Sequence, residues 1–219
     1  MSSLLLAGAT GLVGRECLRL AGADPAFDRI VVLARRAAPE PQPAKVTWRI
    51  VDFANIARLA RAEPSLFRVD TILCALGTTI KQAGSQAAFR EVDHDYPVAL
   101  ATAGAAAGAR QFLLVSALGA DSSSRLFYNR VKGDTERDVL ALPYPAITIV
   151  RPSLLLGDRA ELRPGERIAQ MLGWAMPGRY KPVHARSVAA ALIAAAKDPA
   201  PRRRIIESAE IRRRFRAPR

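Results

Sequence analysis

Histidine and cysteine are scarce in this chain of 219 residues, with two of each. No acid or cysteine clusters at metal-ligand spacing around His94 or His184, so no metal site is expected, although His184 falls where it could touch a substrate. Cys17 and Cys74 sit among apolar neighbours, too far apart for a CxxC pair or a zinc knuckle. They read as buried free thiols of a reducing compartment, and a cytoplasmic location is expected. No GxSxG elbow occurs, which leaves a Ser-His-Asp hydrolase unsupported. The longest strongly apolar stretch, Val188 to Ala196, falls far short of the roughly 20 residues that cross a bilayer, so no membrane partner is expected. The start of the chain, Met1-Ser2-Ser3-Leu4-Leu5-Leu6, lacks the basic region of a signal peptide, and export is not expected.

Hydrophobic residues make up 50% of the chain, enough to bury a core, and the length fits one α/β domain better than two. The formal net charge is +13, and eight arginines against Glu207 and Glu210 put almost half of that excess after Pro201. The plain reading is a solvated, partly frayed terminus. With Phe215 as its one aromatic residue, the segment lacks the interleaved aromatic and basic pattern of a single-strand binder, so nucleic acid is not expected as a partner.

Short β-branched and leucine-rich runs recur at Ser3 to Ala7, Ile30 to Ala34, Val46 to Val51, Thr71 to Ala75, Phe112 to Ser116 and Ile147 to Arg151. Helical periods separate them, at Leu12 to Ala21, Asn55 to Ala62, Gln86 to Ala107, Ser123 to Leu140 and Ser187 to Lys197. This alternation predicts a doubly wound, mostly parallel sheet with helices on both faces. Pro97, inside the third helical period, predicts a kink or a late start there. After Arg151 the pattern is broken by Pro152, Pro164, Gly165, Pro177, Gly178 and Pro182 around one short helix, Glu166 to Ala175, and Met171, Trp174 and Met176 form an apolar group near it. The expected organisation is a domain over 1–200, with a small substrate lid at about 157–186, and a basic tail over 201–219.

Leu4-Leu5-Leu6-Ala7-Gly8-Ala9-Thr10-Gly11-Leu12-Val13-Gly14 is a strand running through GxxGxxG into a helix. Gly8 permits the tight turn, Gly11 lets backbone amides approach a pyrophosphate, and Gly14 lets the helix pack closely on the strand. The positive end of the helix then faces the phosphates. A fold of this kind selects its cofactor after the second strand, where a carboxylate binds a ribose 2′-hydroxyl and an arginine accepts a 2′-phosphate. Here Arg35-Arg36 follow, with no acid before Glu40, so NADP(H) is favoured over NAD(H). Asp52-Phe53, after the third strand, could bracket an adenine, but Asp52 equally suits a helix cap near Asn55. Leu76 and Gly77 make a small-residue turn after the fourth strand, at the sheet edge where ligands of open α/β folds lie.

Tyr128 and Lys132 stand four residues apart, one helical turn from each other on one face. A cation so close favours the phenolate, so this tyrosine can give or take a proton. Ser116 ends the fifth strand at the same edge, where its hydroxyl could bind a substrate carbonyl oxygen. The pair is also what an ordinary helix surface could carry, and it is the position after the fifth strand of a glycine-turn fold that points to catalysis.

With these motifs in order the chain resembles the short-chain dehydrogenase/reductase superfamily. It is most similar to the atypical, small branch of NAD(P)-binding oxidoreductases similar to Tat-interacting protein. The resemblance is carried by the glycine turn, Ala75-Leu76-Gly77-Thr78-Thr79, Val92-Asp93-His94-Asp95-Tyr96, Ser116-Ala117-Leu118-Gly119-Ala120-Asp121, Tyr128 through Gly133, and Val150-Arg151-Pro152-Ser153-Leu154-Leu155-Leu156-Gly157. It implies an NAD(P)-binding Rossmann fold of about seven strands, the last at Arg204 to Glu207. It implies too that Lys132 binds the nicotinamide ribose, and that Arg151-Pro152-Ser153 lines the nicotinamide pocket. The chain departs from the pattern at Asp93, which stands where many relatives carry an asparagine, and in lacking the larger lobe with which sugar-nucleotide enzymes grip their substrates.

The expected protein is therefore a monomeric or homodimeric NADP(H)-dependent oxidoreductase acting on a small carbonyl or alcohol. Ser116, Tyr128 and Lys132 are its catalytic candidates. Gly8, Thr10, Gly11, Leu12, Val13, Gly14, Arg35, Arg36, Asp52, Phe53, Leu76, Gly77, Lys132, Arg151, Pro152 and Ser153 are its candidates for cofactor binding. The alternative is an NADP(H)-sensing binding protein with little or no turnover.

Overall fold

Seven strands lie side by side in one sheet, in the order β3-β2-β1-β4-β5-β6-β9, and every neighbouring pair is parallel. They are β1 (Ser2–Ala7), β2 (Phe27–Ala34), β3 (Val46–Ile50), β4 (Thr71–Cys74), β5 (Gln111–Val115), β6 (Ala146–Arg151) and β9 (Arg202–Glu207). The computed structural model describes residues 2–38, 41–157, 180–198 and 200–215. The central strands are apolar on both faces because both are covered, as parallel crossovers require. On one face α1 (Leu12–Ala23) and α7 (Ala185–Ala196) bury Cys17, Ala21, Val188 and Leu192. On the other, α2 (Ile56–Ala62), α5 (Tyr96–Ala106) and α6 (Phe127–Leu140) bury Ile56, Leu100 and Val139. The strand order turns back between β1 and β4, so the loops leaving those two strands frame the crevice in which ligands of open α/β sheets bind.

The third helical period is broken just before Pro97. It divides into α4 (Gln86–Arg90), a π-helical turn Glu91–Asp95 and α5, with a further short helix, α3 (Ile80–Ala83), ahead of it. Proline has no amide hydrogen to offer the carbonyl four residues back, which is that of Asp93. The Thr135 hydroxyl on α6 meets that oxygen at 2.8 Å, sharing its proton with the Val131 carbonyl. The irregular turn is thereby anchored across the fold, and it is the turn that carries Asp93.

Helix α6 starts at Phe127 rather than Ser123 because the preceding amides find other partners. Asp121 Oδ1 accepts from the Ser123 amide at 2.9 Å, and the Asp121 amide donates to the Asn129 carbonyl at 3.0 Å. The segment beyond 200 is more than a solvated tail. Strand β9 completes the sheet, and α8 (Ser208–Arg214) follows it with Ile211 fully buried. Arg203 donates to the carbonyls of Leu142 and Tyr144, and Arg204 pairs with Glu210 at 2.5 Å, so two of the basic residues fasten this edge. Two-residue strands β7 (Leu155–Leu156) and β8 (Val183–His184) pair in parallel beside the sheet. The expected short helix Glu166 to Ala175, with Met171, Trp174 and Met176, lies outside the described residues.

Candidate active site

Strand β1 ends in a turn that only glycine can make. Gly8 has φ +90°, and a Cβ there would stand 2.4 Å from the Ala75 carbonyl oxygen of the loop after β4. A Cβ on Gly14 would stand 2.1 Å from the Gly8 carbonyl oxygen, so α1 is drawn hard against the turn. The Gly11 amide closes the turn onto Gly8 at 3.0 Å, and no side chain caps the start of α1. Leu12 and Val13 are buried, so what they offer a ligand is backbone amides, while Thr10 and Gly11 are exposed. This geometry fits a pyrophosphate at a helix N-terminus. Gly157, at the end of β7, closes in over the same helix start: a Cβ there would lie 3.2 Å from Leu12 Cδ2.

Arg35 and Arg36 follow β2 as exposed side chains, with the Arg36 carbonyl fastened by the Trp48 indole at 2.9 Å. Arg35 is close enough to act on Tyr96. Burial and a hydrogen bond to Glu91 push that phenol up to about 12, with Arg35 pulling the other way. Asp52 is a cap, accepting from the Ala54 amide at 3.1 Å and from Asn55 Nδ2 at 2.6 Å. Phe53 corrects the expectation that it brackets an adenine: it is 3% exposed, with its ring stacked on Tyr96 at 6.0 Å, so its face belongs to the core. A hollow of about 260 Å³ opens beside this turn, lined by Ile50, Val51, Asp52, Asn55 and Leu59 among others.

Across the crevice, α6 presents Tyr128, Lys132 and Glu136 at successive turns of one face. Lys132 is 6% exposed and pairs with Asp93, itself 1% exposed, at 2.7 Å between Nζ and Oδ1. The other carboxylate oxygen of Asp93 accepts from the Thr78 amide at 2.8 Å. Burial alone would lower the Lys132 pKa, but Asp93 and then Tyr128 outweigh it and the net shift is upward, so the ammonium persists. Gly77 leaves this pair open from above: a Cβ there would come within 3.4 Å of Asp93 Oδ1 and 3.9 Å of Lys132 Nζ. Cys74 lies behind it, its thiol pushed up to about 12 by burial. Tyr128 is half-buried with its ring tilted against Phe89, the centroids 5.4 Å apart.

Ser116 follows β5 directly, and its buried hydroxyl donates to Glu136 Oε1. Glu136 is clamped by Arg151 through contacts of 3.0, 3.1 and 2.5 Å, and Arg151 also reaches Glu207 at 3.1 Å. The hydrogen bond to Glu136 holds the Arg151 pKa above its ordinary value. The Arg151 side chain is committed to carboxylates and Ser153 Oγ donates to the Lys181 carbonyl at 2.6 Å, so the polar ends of both are engaged within the fold, and Pro152 between them is buried. Glu136 was not among the candidates. One signal for it lies in the sequence, the extension of the Tyr128, Lys132 spacing by a further turn. His94 bridges Asp95 at 2.6 Å and Asp138 at 2.9 Å, tying the π-helical turn to α6, and His184 is exposed at the start of α7. Among the described residues no group of His, Cys, Asp or Glu could hold a metal ion.

The family model described as NAD(P)H-binding matches residues 8–199. The chain belongs to that NAD(P)H-binding family. It is 36% identical to protein FMP52, mitochondrial, of Eremothecium gossypii over 216 residues, covering 94% of each chain. It is 33% identical to protein HTATIP2 of Rattus norvegicus over 180 residues, 81% of this chain and 73% of that protein, so the resemblance drawn from the motifs is borne out. Among solved structures it superposes on the enzyme WbmG of Bordetella bronchiseptica in complex with NAD, with a TM-score of 0.72 at 14% identity, over 98% of this chain and 76% of that one. At that identity the likeness speaks for the Rossmann-type fold alone. The cytoplasmic expectation is corrected: the FMP52 relatives from three fungi, at 33 to 36% identity, are named mitochondrial. Two buried cysteines are a weak guide to compartment, because any reducing compartment accommodates them.

Proposed function

We propose that the protein is an NADP(H)-dependent oxidoreductase of the atypical short-chain dehydrogenase/reductase type, acting on a small carbonyl or alcohol. The observation that carries this reading is the face of α6, which brings Tyr128 and a persistently charged Lys132 to the edge of a glycine turn built for a dinucleotide. When bound, the cofactor supplies or takes a hydride at its nicotinamide C4.

The residues present fit that group. The amides of Leu12 to Gly14, at the N-terminus of α1, hold its pyrophosphate. Arg35, with Arg36 beside it, takes the 2′-phosphate through charge-assisted hydrogen bonds. Asp52 edges the adenosine side, with Leu76 and Gly77 along the floor of the crevice. Lys132 binds the nicotinamide ribose and sets its positive charge one helical turn from Tyr128. Tyr128 Oη holds or moves the proton of the substrate oxygen, and Ser116 orients that oxygen. The FMP52 names support a mitochondrial setting for this chemistry.

A second reading has one observation in its favour. Lys132 is already engaged by Asp93 at 2.7 Å, which would suit a sensor that binds NADP(H) and turns over little. A screen of aldehydes, ketones and quinones for NADPH oxidation separates the two. Turnover is the expected result, and tight NADPH binding without turnover on a broad panel would overturn the enzyme in favour of the sensor.

A further inference from the structure

Asp93 is held at both ends and still has one oxygen without a donor. Its carbonyl accepts from the Thr135 hydroxyl at 2.8 Å, and its Oδ2 accepts from the Thr78 amide at 2.8 Å. Oδ1 meets Lys132 Nζ at 2.7 Å, a charge contact whose angle makes no hydrogen bond, and it accepts from no other group among the described residues. Only one further buried side-chain polar atom among those residues lacks a partner, Thr148 Oγ1, which lies within β6. Burying an acceptor without a donor is unfavourable, and native folds keep few of them.

The way in to this oxygen is over Gly77. Gly77 is exposed, and a Cβ on it would meet Asp93 Oδ1 at 3.4 Å and Lys132 Nζ at 3.9 Å, with no other atom within 4 Å apart from its chain neighbours. A ligand lying against Gly77 therefore meets an anionic acceptor and a cationic donor side by side. Oδ1 would repel an anion there and Nζ a cation, whereas a hydroxyl, with one donor and two lone pairs, satisfies both. We propose that Asp93 is a cofactor-binding residue whose Oδ1 accepts a hydrogen bond from a hydroxyl of the nicotinamide ribose, while Lys132 donates to the same hydroxyl oxygen. The inference rests on the NADP(H) reading and adds a second charged group to its ribose contacts. An asparagine could not take this role: the Thr78 amide would hold its oxygen, and its NH₂ would stand in the place of Oδ1, a donor where an acceptor is needed.

The test compares, by calorimetric titration, NADPH with analogues that carry fluorine in place of the 2′- or the 3′-hydroxyl of the nicotinamide ribose. Fluorine is similar in size to a hydroxyl and cannot donate. In the parent at least one analogue should bind roughly 10- to 100-fold more weakly than NADPH, the worth of a hydrogen bond to a charged group. In Asp93→Asn, NADPH itself should bind more weakly, and that analogue should match it within about threefold, because the acceptor whose bond it forfeits is gone. Were Lys132 alone to hold the ribose, the penalty would persist in Asp93→Asn, since the lysine keeps its donors. Should Asp93→Asn fail to fold, Gly77→Ala keeps the test. Gly77 has no left-handed φ, and the added methyl covers the charged pair at ordinary contact distance. Its melting temperature should stay within about 2 °C of the parent, while NADPH affinity falls and the penalty of the analogue disappears. Equal binding of NADPH and both analogues by the parent, or a penalty that survives in the variants, overturns the inference and leaves the NADP(H) reading intact. Failure of the parent to bind NADPH removes that reading and this inference with it.

Discussion

Replacing Asp93 with Asn removes one charge from a buried pair and little else. Asn has the same shape and keeps an oxygen for the Thr78 amide, which now sits 2.8 Å from Asp93 Oδ2. The ammonium of Lys132 loses a partner at 2.7 Å while remaining 6% exposed. Breaking a buried pair from one side costs about 3 to 5 kcal/mol. The retained hydrogen bond places Asp93→Asn near the lower end, about 3 kcal/mol. For a domain of this size that lowers Tm by about 6 to 12 °C near neutral pH. The pH dependence discriminates further. In the parent the folded pKa of Lys132 lies above its unfolded value, so the pair's contribution is fully present below about pH 10 and is lost only as pH climbs through the raised value. In Asp93→Asn burial, opposed now only by Tyr128 and Cys74, sets the folded pKa below the unfolded one. The deficit is then largest at neutral pH and shrinks as rising pH neutralises the lysine. Calorimetric melts of both proteins from pH 6 to pH 10 measure this. Melting curves that shift in parallel across that range would refute the claim that Asp93 keeps Lys132 charged.

Exchange of the guanidinium in Arg35→Asp should cost NADPH about 1.5 to 3 kcal/mol and spare NADH, the worth of a charge-assisted hydrogen bond; calorimetric titration with both cofactors checks it. Ile211→Ala on α8 opens a cavity under a fully buried side chain and should destabilise the protein by about 2 to 5 kcal/mol in denaturant melts, where a frayed terminus would show no change. A methyl group at Gly14 would meet the Gly8 carbonyl oxygen at 2.1 Å, so Gly14→Ala should abolish measurable NADPH binding in the same titration.

What could be read in the sequence divides along the range of the interactions. The glycine turn is legible because its cause is local: a strand, a tight bend and a helix start fall within eleven consecutive residues. The parallel sheet follows from apolar runs that must be buried on both faces. Tyr128 and Lys132 are legible from helical spacing, but Glu136 acquires its role only when α6 lies over Ser116 after β5 and Arg151 at the end of β6, and no window of sequence contains all three. Asp52 had two readings, and the capping one is seen in the bonds to Ala54 and Asn55. Phe53 was placed by its position after the third strand, which does not say whether an apolar ring there turns to a ligand or, as here, into the core. The last strand, expected from the resemblance at Arg204 to Glu207, spans Arg202–Glu207, and its bonds are formed with a partner some 56 residues earlier, so the arginine-rich composition of the segment did not announce it. Pro97 announced a distortion, yet its consequence, a carbonyl met by Thr135, depends on a helix forty residues on.

The account stands on Tyr128 as the group that moves the substrate proton, and one comparison tests that directly. Tyr128→Phe keeps the ring against Phe89 and removes only the hydroxyl. NADPH affinity should be unchanged, and turnover of the best carbonyl substrate at saturating NADPH should fall by roughly 10² to 10⁴, the usual worth of a positioned acid. A Tyr128→Phe protein that turns over like the parent would contradict the central claim.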